Sequence, residues 1–229
     1  MGNFIEVTKD GIKSYTLFSK STIKQIVALP SVMQTYSFNL EDKSAEKVVF
    51  LDSNNNLLSS AGILLSKSTE RNKAFFKVER ERYKKTSRSS LPQRAEKVFI
   101  HNVGVKDSVK DHMFFLTNGI KSMFTTQFYI DLDNVLKLVV PQIELSSKKS
   151  VFKVFSGKGF KAEMIYEEMA IKNFATKRSN VVYVLTVKQT SSKHDLTEFS
   201  DFTSKLEKYC KEAIPTDDTI YEIAKRMTK

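Results

Sequence analysis

From residue 32 to residue 101 the chain is a succession of β-prone runs separated by short polar breaks, and this spacing limits the fold more than any other feature. Runs 32–40 and 47–52 flank Glu41-Asp42-Lys43-Ser44, which reads as the turn of a hairpin. A second break, Asp52-Ser53-Asn54-Asn55-Asn56, is built from residues that accept left-handed backbone angles and bond their own backbone, so it predicts a tight reversal. Runs 57–67 and 73–82 follow, joined through Thr69-Glu70-Arg71-Asn72, and run 93–101 comes after the polar connector 84–90.

Around this block the pattern alternates between strand and helix without the regular βα repeat of a doubly wound fold. Residues 14–20 read as a strand, and Ser21 then opens a helix that Pro30 ends. Helices are predicted at 106–115 and at 131–139, the second capped by Asp131 and stopped by Pro141. Strands return at 149–155, 160–171 and 180–189, with Gly157 and Gly159 reversing the chain between the first two. Leu196, Phe199, Phe202, Leu206, Tyr209 and Cys210 then recur every three or four residues on one face of a helix that Asp195 can cap, and 218–227 supplies a shorter one. No linker, low-complexity block or repeat divides the chain. One domain, 1–229, is expected, of α+β class with a largely antiparallel sheet.

Period two within the runs separates charge from apolar bulk. In Lys73-Ala74-Phe75-Phe76-Lys77-Val78-Glu79-Arg80, Lys73, Phe75, Lys77 and Glu79 fall on one face and Ala74, Phe76 and Val78 on the other. Arg94 and Glu96 stand against Ala95 in the same way, and Lys149, Val151 and Lys153 against Phe152 and Val154. Lysines on successive pleats can converge on a multivalent anion. The solvated outer face of an antiparallel sheet gives the same pattern. Thirty-seven Lys and Arg against 26 Asp and Glu leave a formal charge of +11, which attracts phosphates, nucleic acid or anionic headgroups.

Other chemistry is sparse. There is no P-loop, dinucleotide glycine fingerprint, HExxH or cysteine-based metal spacing, and His101, His112 and His194 are scattered singly. The turn Ser156-Gly157-Lys158-Gly159 reads as a hairpin reversal, because no helix follows it to hold a phosphate. The single cysteine, Cys210, excludes an intrachain disulfide and points to a reducing, cytoplasmic setting. No apolar run reaches the roughly 18 residues of a membrane span, and Met1-Gly2-Asn3-Phe4-Ile5-Glu6 lacks a signal-peptide core.

Val48-Val49-Phe50-Leu51-Asp52-Ser53, then Leu57-Leu58 and Ala61-Gly62-Ile63-Leu64-Leu65-Ser66-Lys67, resemble the CYTH, or triphosphate tunnel metalloenzyme, family. There an aromatic-rich strand ending in Asp-Thr leads through a turn, a Leu and a Gly to a Leu-Arg-Ile-Arg strand. Phe75-Phe76-Lys77 is similar to the family's Leu-Thr-Leu-Lys strand, Arg94-Ala95-Glu96 to its Arg-x-Glu strand, and the strand at 180–188 with its following helix to its C-terminal part. The resemblance implies eight antiparallel strands in a closed or nearly closed tunnel, with polar faces inward and helices packed outside. It gives phosphate-binding roles to Lys67, Lys73, Lys77, Arg94 and Lys153, and metal-holding roles to Glu96 and Glu168. In the family, glutamates hold one or two divalent cations that polarise the phosphoryl group and position water.

The chain departs from that pattern where the carboxylates belong. The N-terminal Glu-x-Glu-x-Lys signature is missing: Ser14, Thr16 and Phe18 fill its places on one register, and Thr16, Phe18 and Lys20 on another. The late Glu-x-Glu strand is Tyr183-Val184-Leu185-Thr186-Val187-Lys188, and Leu65 stands for the first Arg of Leu-Arg-Ile-Arg. The expectation is a degenerate CYTH-like tunnel that binds a polyphosphate, nucleotide or other phosphorylated polyanion without catalysis and with no firm cofactor. Two alternatives stay open. One is a triphosphatase acting on tripolyphosphate or on nucleoside or thiamine triphosphates with magnesium or manganese, its ligands drawn from Glu79, Glu96, Glu163, Glu167 and Glu168. The other is a nucleic-acid or protein interaction module in which Lys84, Lys85 and Arg88 meet phosphates.

Overall fold

A computed structural model describes residues 2–7, 11–17, 21–80, 96–123, 131–157, 159–190 and 196–229. In chain order the elements are β1 (Gly2–Val7), β2 (Ile12–Leu17), α1 (Ser21–Val32), β3 (Tyr36–Asp52), α2 (Leu57–Ser60), β4 (Ile63–Glu70), β5 (Lys73–Arg80) and β6 (Glu96–Val103). A 3-10 turn (Lys110–His112), α3 (Met113–Met123), α4 (Leu132–Lys137), β7 (Val140–Ser156), β8 (Lys161–Asn173), β9 (Ser179–Gln189), α5 (Leu196–Tyr209), β10 (Ala213–Thr216) and α6 (Ile220–Met227) follow.

The strands hydrogen-bond in the order β1-β6-β5-β4-β3-β7-β8-β9-β2-β10, with antiparallel ladders at β1–β6, β6–β5, β5–β4, β4–β3, β9–β2 and β2–β10. This is the α+β fold with a large antiparallel sheet that the strand pattern predicts. The nine predicted runs become eight strands, β2 to β9, because 32–40 and 47–52 join in β3, and β1 and β10, which the pattern did not announce, stand at the two ends of the order.

Four local expectations change. Pro30 does not end the first helix, which runs through it to Val32. Residues 41–44 are not a turn: β3 runs unbroken through them for 17 residues. The tetrad holds no Gly, Pro or Asn to take a positive φ, and Glu41 instead pairs with Lys153 of β7. The run 57–67 opens with the short helix α2 before β4 begins. Asp52 causes this, because its buried carboxylate accepts the backbone N–H groups of Ser53, Leu58 and Ser59 at 2.7, 2.8 and 3.0 Å, while Asn56 turns the chain at φ 55°. The helix expected at 106–115 begins only at residue 110 and continues to Met123. Asp131 caps α4, accepting from Asn134 N at 3.2 Å, as read from the sequence.

The chain gathers into two compact units, each with its own core. Unit 1 comprises Met1–Lys9, Glu46–Leu145 and Lys172–Arg178; unit 2 comprises Asp10–Ala45, Ser146–Ile171 and Ser179–Lys229. In unit 1, Ile63, Leu65, Phe76, Val78 and Phe99 of β4–β6 pack with Leu58 of α2, Leu116 and Ile120 of α3, and Leu132, Val135 and Leu136 of α4. Gly119 lets α3 lie close to the sheet: a Cβ there would sit 2.5 Å from the Phe99 ring. In unit 2, Tyr15, Leu17, Val154, Phe160, Met164, Leu185 and Val187 pack with Leu29 and Met33 of α1 and with Phe199, Phe202, Leu206 and Cys210 in or next to α5. Burial pushes the Cys210 thiol up to about 11.

Candidate anion-binding face

Cross-strand partners in an antiparallel ladder share a face, so the register sorts the unit 1 side chains into two sets. Leu65 pairs with Val78, Lys67 with Phe76, and Phe76 with His101. These share the face on which α2, α3 and α4 pack. Ser66 pairs with Lys77, Ser68 with Phe75 and Glu70 with Lys73, while Phe75 and Lys77 face Asn102 and Ile100 of β6. That second face carries the charged residues predicted by period two in β5, and Ala74, Phe76 and Val78 are buried on the first.

On the second face Lys77 Nζ lies 2.8 Å from Glu79 Oε1, and both side chains keep about a third of their surface exposed. Ser66 and Ser68 beside them are buried. Sequence reasoning missed these two hydroxyls. The signal was present in Leu64-Leu65-Ser66-Lys67-Ser68, where period two sets both serines opposite Lys67.

Of the residues given phosphate-binding roles, the structure brings Lys73 and Lys77 together on one face. Lys67 does not join them: its ammonium turns to the helix side and donates to the carbonyls of Val105 and Asp107 at 2.7 and 2.5 Å. Partial burial there lowers its pKa, against the pull of Asp107 and Asp111. Lys153 belongs to unit 2, where it pairs with Glu41 and is held above the ordinary lysine range by that carboxylate. Arg94 lies outside the described residues, as do Lys84, Lys85 and Arg88, and the side chain of Glu96 is likewise outside them. Glu168 is on β8 in unit 2, next to Glu167, which is buried and 3.3 Å from Lys149 Nζ.

A divalent cation of the magnesium or manganese type needs several oxygen ligands converging on one point. Among the described residues no three His, Cys, Asp or Glu side chains gather where they could share one. Glu79, Glu144 and Glu167 are each turned to a lysine instead. The described residues do not fit the metal centre that the resemblance implies.

One cluster was invisible in the sequence. His101 and His112, eleven residues apart, meet at 3.0 Å between Nε2 and Nδ1, and His112 Nε2 lies 2.8 Å from Asp107 Oδ2. Nothing in their spacing announces the contact, which depends on how the 3-10 turn docks over β6.

No family model matches the chain, and no curated protein matches it. Solved structures do. HpAC1 from Hippeastrum, a candidate adenylyl cyclase with a dominant triphosphatase activity, aligns over 98% of this chain and 97% of its own with a TM-score of 0.53 at 10% identity. A candidate adenylate cyclase from Bacillus halodurans aligns over 93% and 95% with a TM-score of 0.50 at 15% identity. The chain shares their fold. This CYTH-like fold is the one that its strand pattern resembles, and at such identities the likeness extends to the fold alone. Among the described residues no helix is long and apolar enough to cross a membrane.

Proposed function

We propose that the chain is a degenerate CYTH-like domain that binds a phosphorylated polyanion, such as polyphosphate or a nucleotide, on the second face of β4–β6 without hydrolysing it. The observation that carries this reading is the register that sets Lys73 and Lys77 on one pleat with Ser66 and Ser68 across from it. Ammonium and hydroxyl groups are the donors that phosphate oxygens take. A phosphate that takes Lys77 from Glu79 gives up a partly exposed ion pair worth up to about 1 kcal/mol. The charged hydrogen bond it gains is worth about 1.5–3 kcal/mol. The missing glutamate strands support binding without turnover.

Calorimetric titration with tripolyphosphate at two salt concentrations tests the reading. Saturable binding is expected, weakened about tenfold or more, or roughly 1.4 kcal/mol, by Lys73→Ala with Lys77→Ala. No saturation at millimolar ligand, or an unchanged double variant, would remove it. HpAC1 gives the alternative its weight. Phosphate release with magnesium or manganese at about 1 per second or faster would establish a triphosphatase instead. Binding of nucleic acid that collapses steeply with salt would favour the interaction module.

A further inference from the structure

The Asp107, His112 and His101 contacts form a chain with a defined proton count. An ionised carboxylate only accepts, so His112 carries its proton on Nε2, toward Asp107 Oδ2. Neutral His112 then offers Nδ1 as an acceptor, and His101 must donate from Nε2 across the 3.0 Å contact. His101 Nδ1 is left as a bare lone pair, and that atom is buried with no hydrogen-bond partner. An unpaired acceptor is the milder of the two orphans. Phe115 stacks on the His101 ring at 4.7 Å and Phe99 lies parallel to it at 6.4 Å, so the ring has two aromatic neighbours and its surroundings are apolar.

Adding protons disturbs this arrangement in two stages. The first can be held on His112 if His101 flips its proton to Nδ1, which puts an unpaired N–H donor in these apolar surroundings. A second makes both atoms of the 3.0 Å contact donors, and the contact becomes repulsive. We propose that Asp107, His112 and His101 are a proton-operated latch that holds residues 104–112 and the start of α3 on β5 and β6 at neutral pH and lets them go on acidification.

Val109 and Leu116 of the held segment are buried in the unit 1 core, with Met113 packed against it; its polar ties are local apart from one lysine. Asp107 Oδ2 accepts Gly104 N at 2.7 Å, Asp111 Oδ2 accepts Ser108 N at 2.7 Å, and Lys67 of β4 grips the Val105 and Asp107 carbonyls. The charged groups of this cluster are His112, which meets His101, and beyond it Asp107, Asp111 and Lys67. Burial first, and then His112, hold His101 below the ordinary histidine value, while the His112 bond holds Asp107 below the ordinary carboxylate range. The unfolded chain thus binds protons that the latch refuses. Its contribution is complete above about pH 6.5 and is lost as pH falls through the lower folded value.

Hydrogen–deuterium exchange of the full chain at pH 7.5 and pH 5.0, corrected for intrinsic exchange, tests the latch. Peptides covering 104–116 should lose protection by on the order of tenfold or more, while peptides from α5 keep theirs. His112→Gln, whose amide can still donate to Asp107 and accept from His101 without titrating, should abolish the pH response of 104–116. In the wild type, the Cε1–H resonance of His101 should titrate below the ordinary histidine value, a readout that stands if the variant fails to fold. Protection that is independent of pH, an equal loss in α5, an undiminished response in His112→Gln, or a His101 ring that titrates at the ordinary value would each overturn the proposal.

Discussion

The two units solve the same packing problem with different polar chemistry. In unit 2 the polar edge of the core is phenolic. Tyr15 Oη donates to Glu207 and Tyr36 Oη to Asp201, each at 3.1 Å, and both carboxylates on α5 also hold a lysine, Lys13 and Lys205. Burial first, and then those carboxylates, push both phenols far above their ordinary value. In unit 1 the corresponding place over β5 and β6 is taken by two imidazoles, a carboxylate and a lysine that grips backbone carbonyls. A phenol next to a carboxylate keeps its proton across the physiological range, whereas imidazoles change charge within it. The phenols described in unit 2 are thus indifferent to mild acidification, whereas the imidazole chain of unit 1 responds to it.

The most severe test of that contrast is Phe202→Ala in unit 2. Phe202 is fully buried and its ring lies 4.9 Å from that of Tyr36, so the change should cost about 3–5 kcal/mol in denaturant unfolding. Far-UV dichroism and exchange read together would show whether unit 1 stays folded when this core fails. Gly119→Ala should follow at about 1–3 kcal/mol, because the new methyl overlaps the Phe99 ring and α3 must lift from the sheet. Its loss should be confined to unit 1 in exchange. Tyr36→Phe should cost about 1 kcal/mol by removing one hydrogen bond to Asp201, with an effect that is the same at pH 7.5 and pH 5.5. A strongly pH-dependent cost would erase the distinction between the units. Lys77→Ala with Arg94→Ala should move the thermal midpoint least, within about 0.5 kcal/mol, while weakening tripolyphosphate binding in a parallel titration.

Much of the fold was legible because β-prone runs and their polar breaks are local properties. What failed did so for identifiable reasons. Edge strand β10 carries Pro215, which the usual strand signal rejects but an edge position tolerates. The charged tetrad inside β3 looked like a turn because its partner Lys153 lies more than a hundred residues away. The helix expected at 106–115 missed the second half of α3, where Asn118-Gly119 gives no helical signal and the glycine serves close packing on Phe99. The polar pleat of β5 was legible from period two. Its partners were not: Lys67 was grouped with Lys77 through the family resemblance, although register sets them on opposite faces. The histidine chain depends on tertiary docking alone.

The two 17-residue strands β3 and β7 each begin in one unit and end in the other: Tyr36–Ala45 of β3 is in unit 2 and Glu46–Asp52 in unit 1, and β7 passes from unit 1 to unit 2 after Leu145. Neither unit is therefore a contiguous stretch of polypeptide, and no single proteolytic cut or truncation can isolate one with its sheet intact. Most partners in each unit must be found across long loops, whose closure entropy precedes the contacts that reward it. Slow folding is the kinetic consequence, and fragments severed in the polar stretch near residue 45 should recover native exchange only when mixed, as complementing halves of one chain.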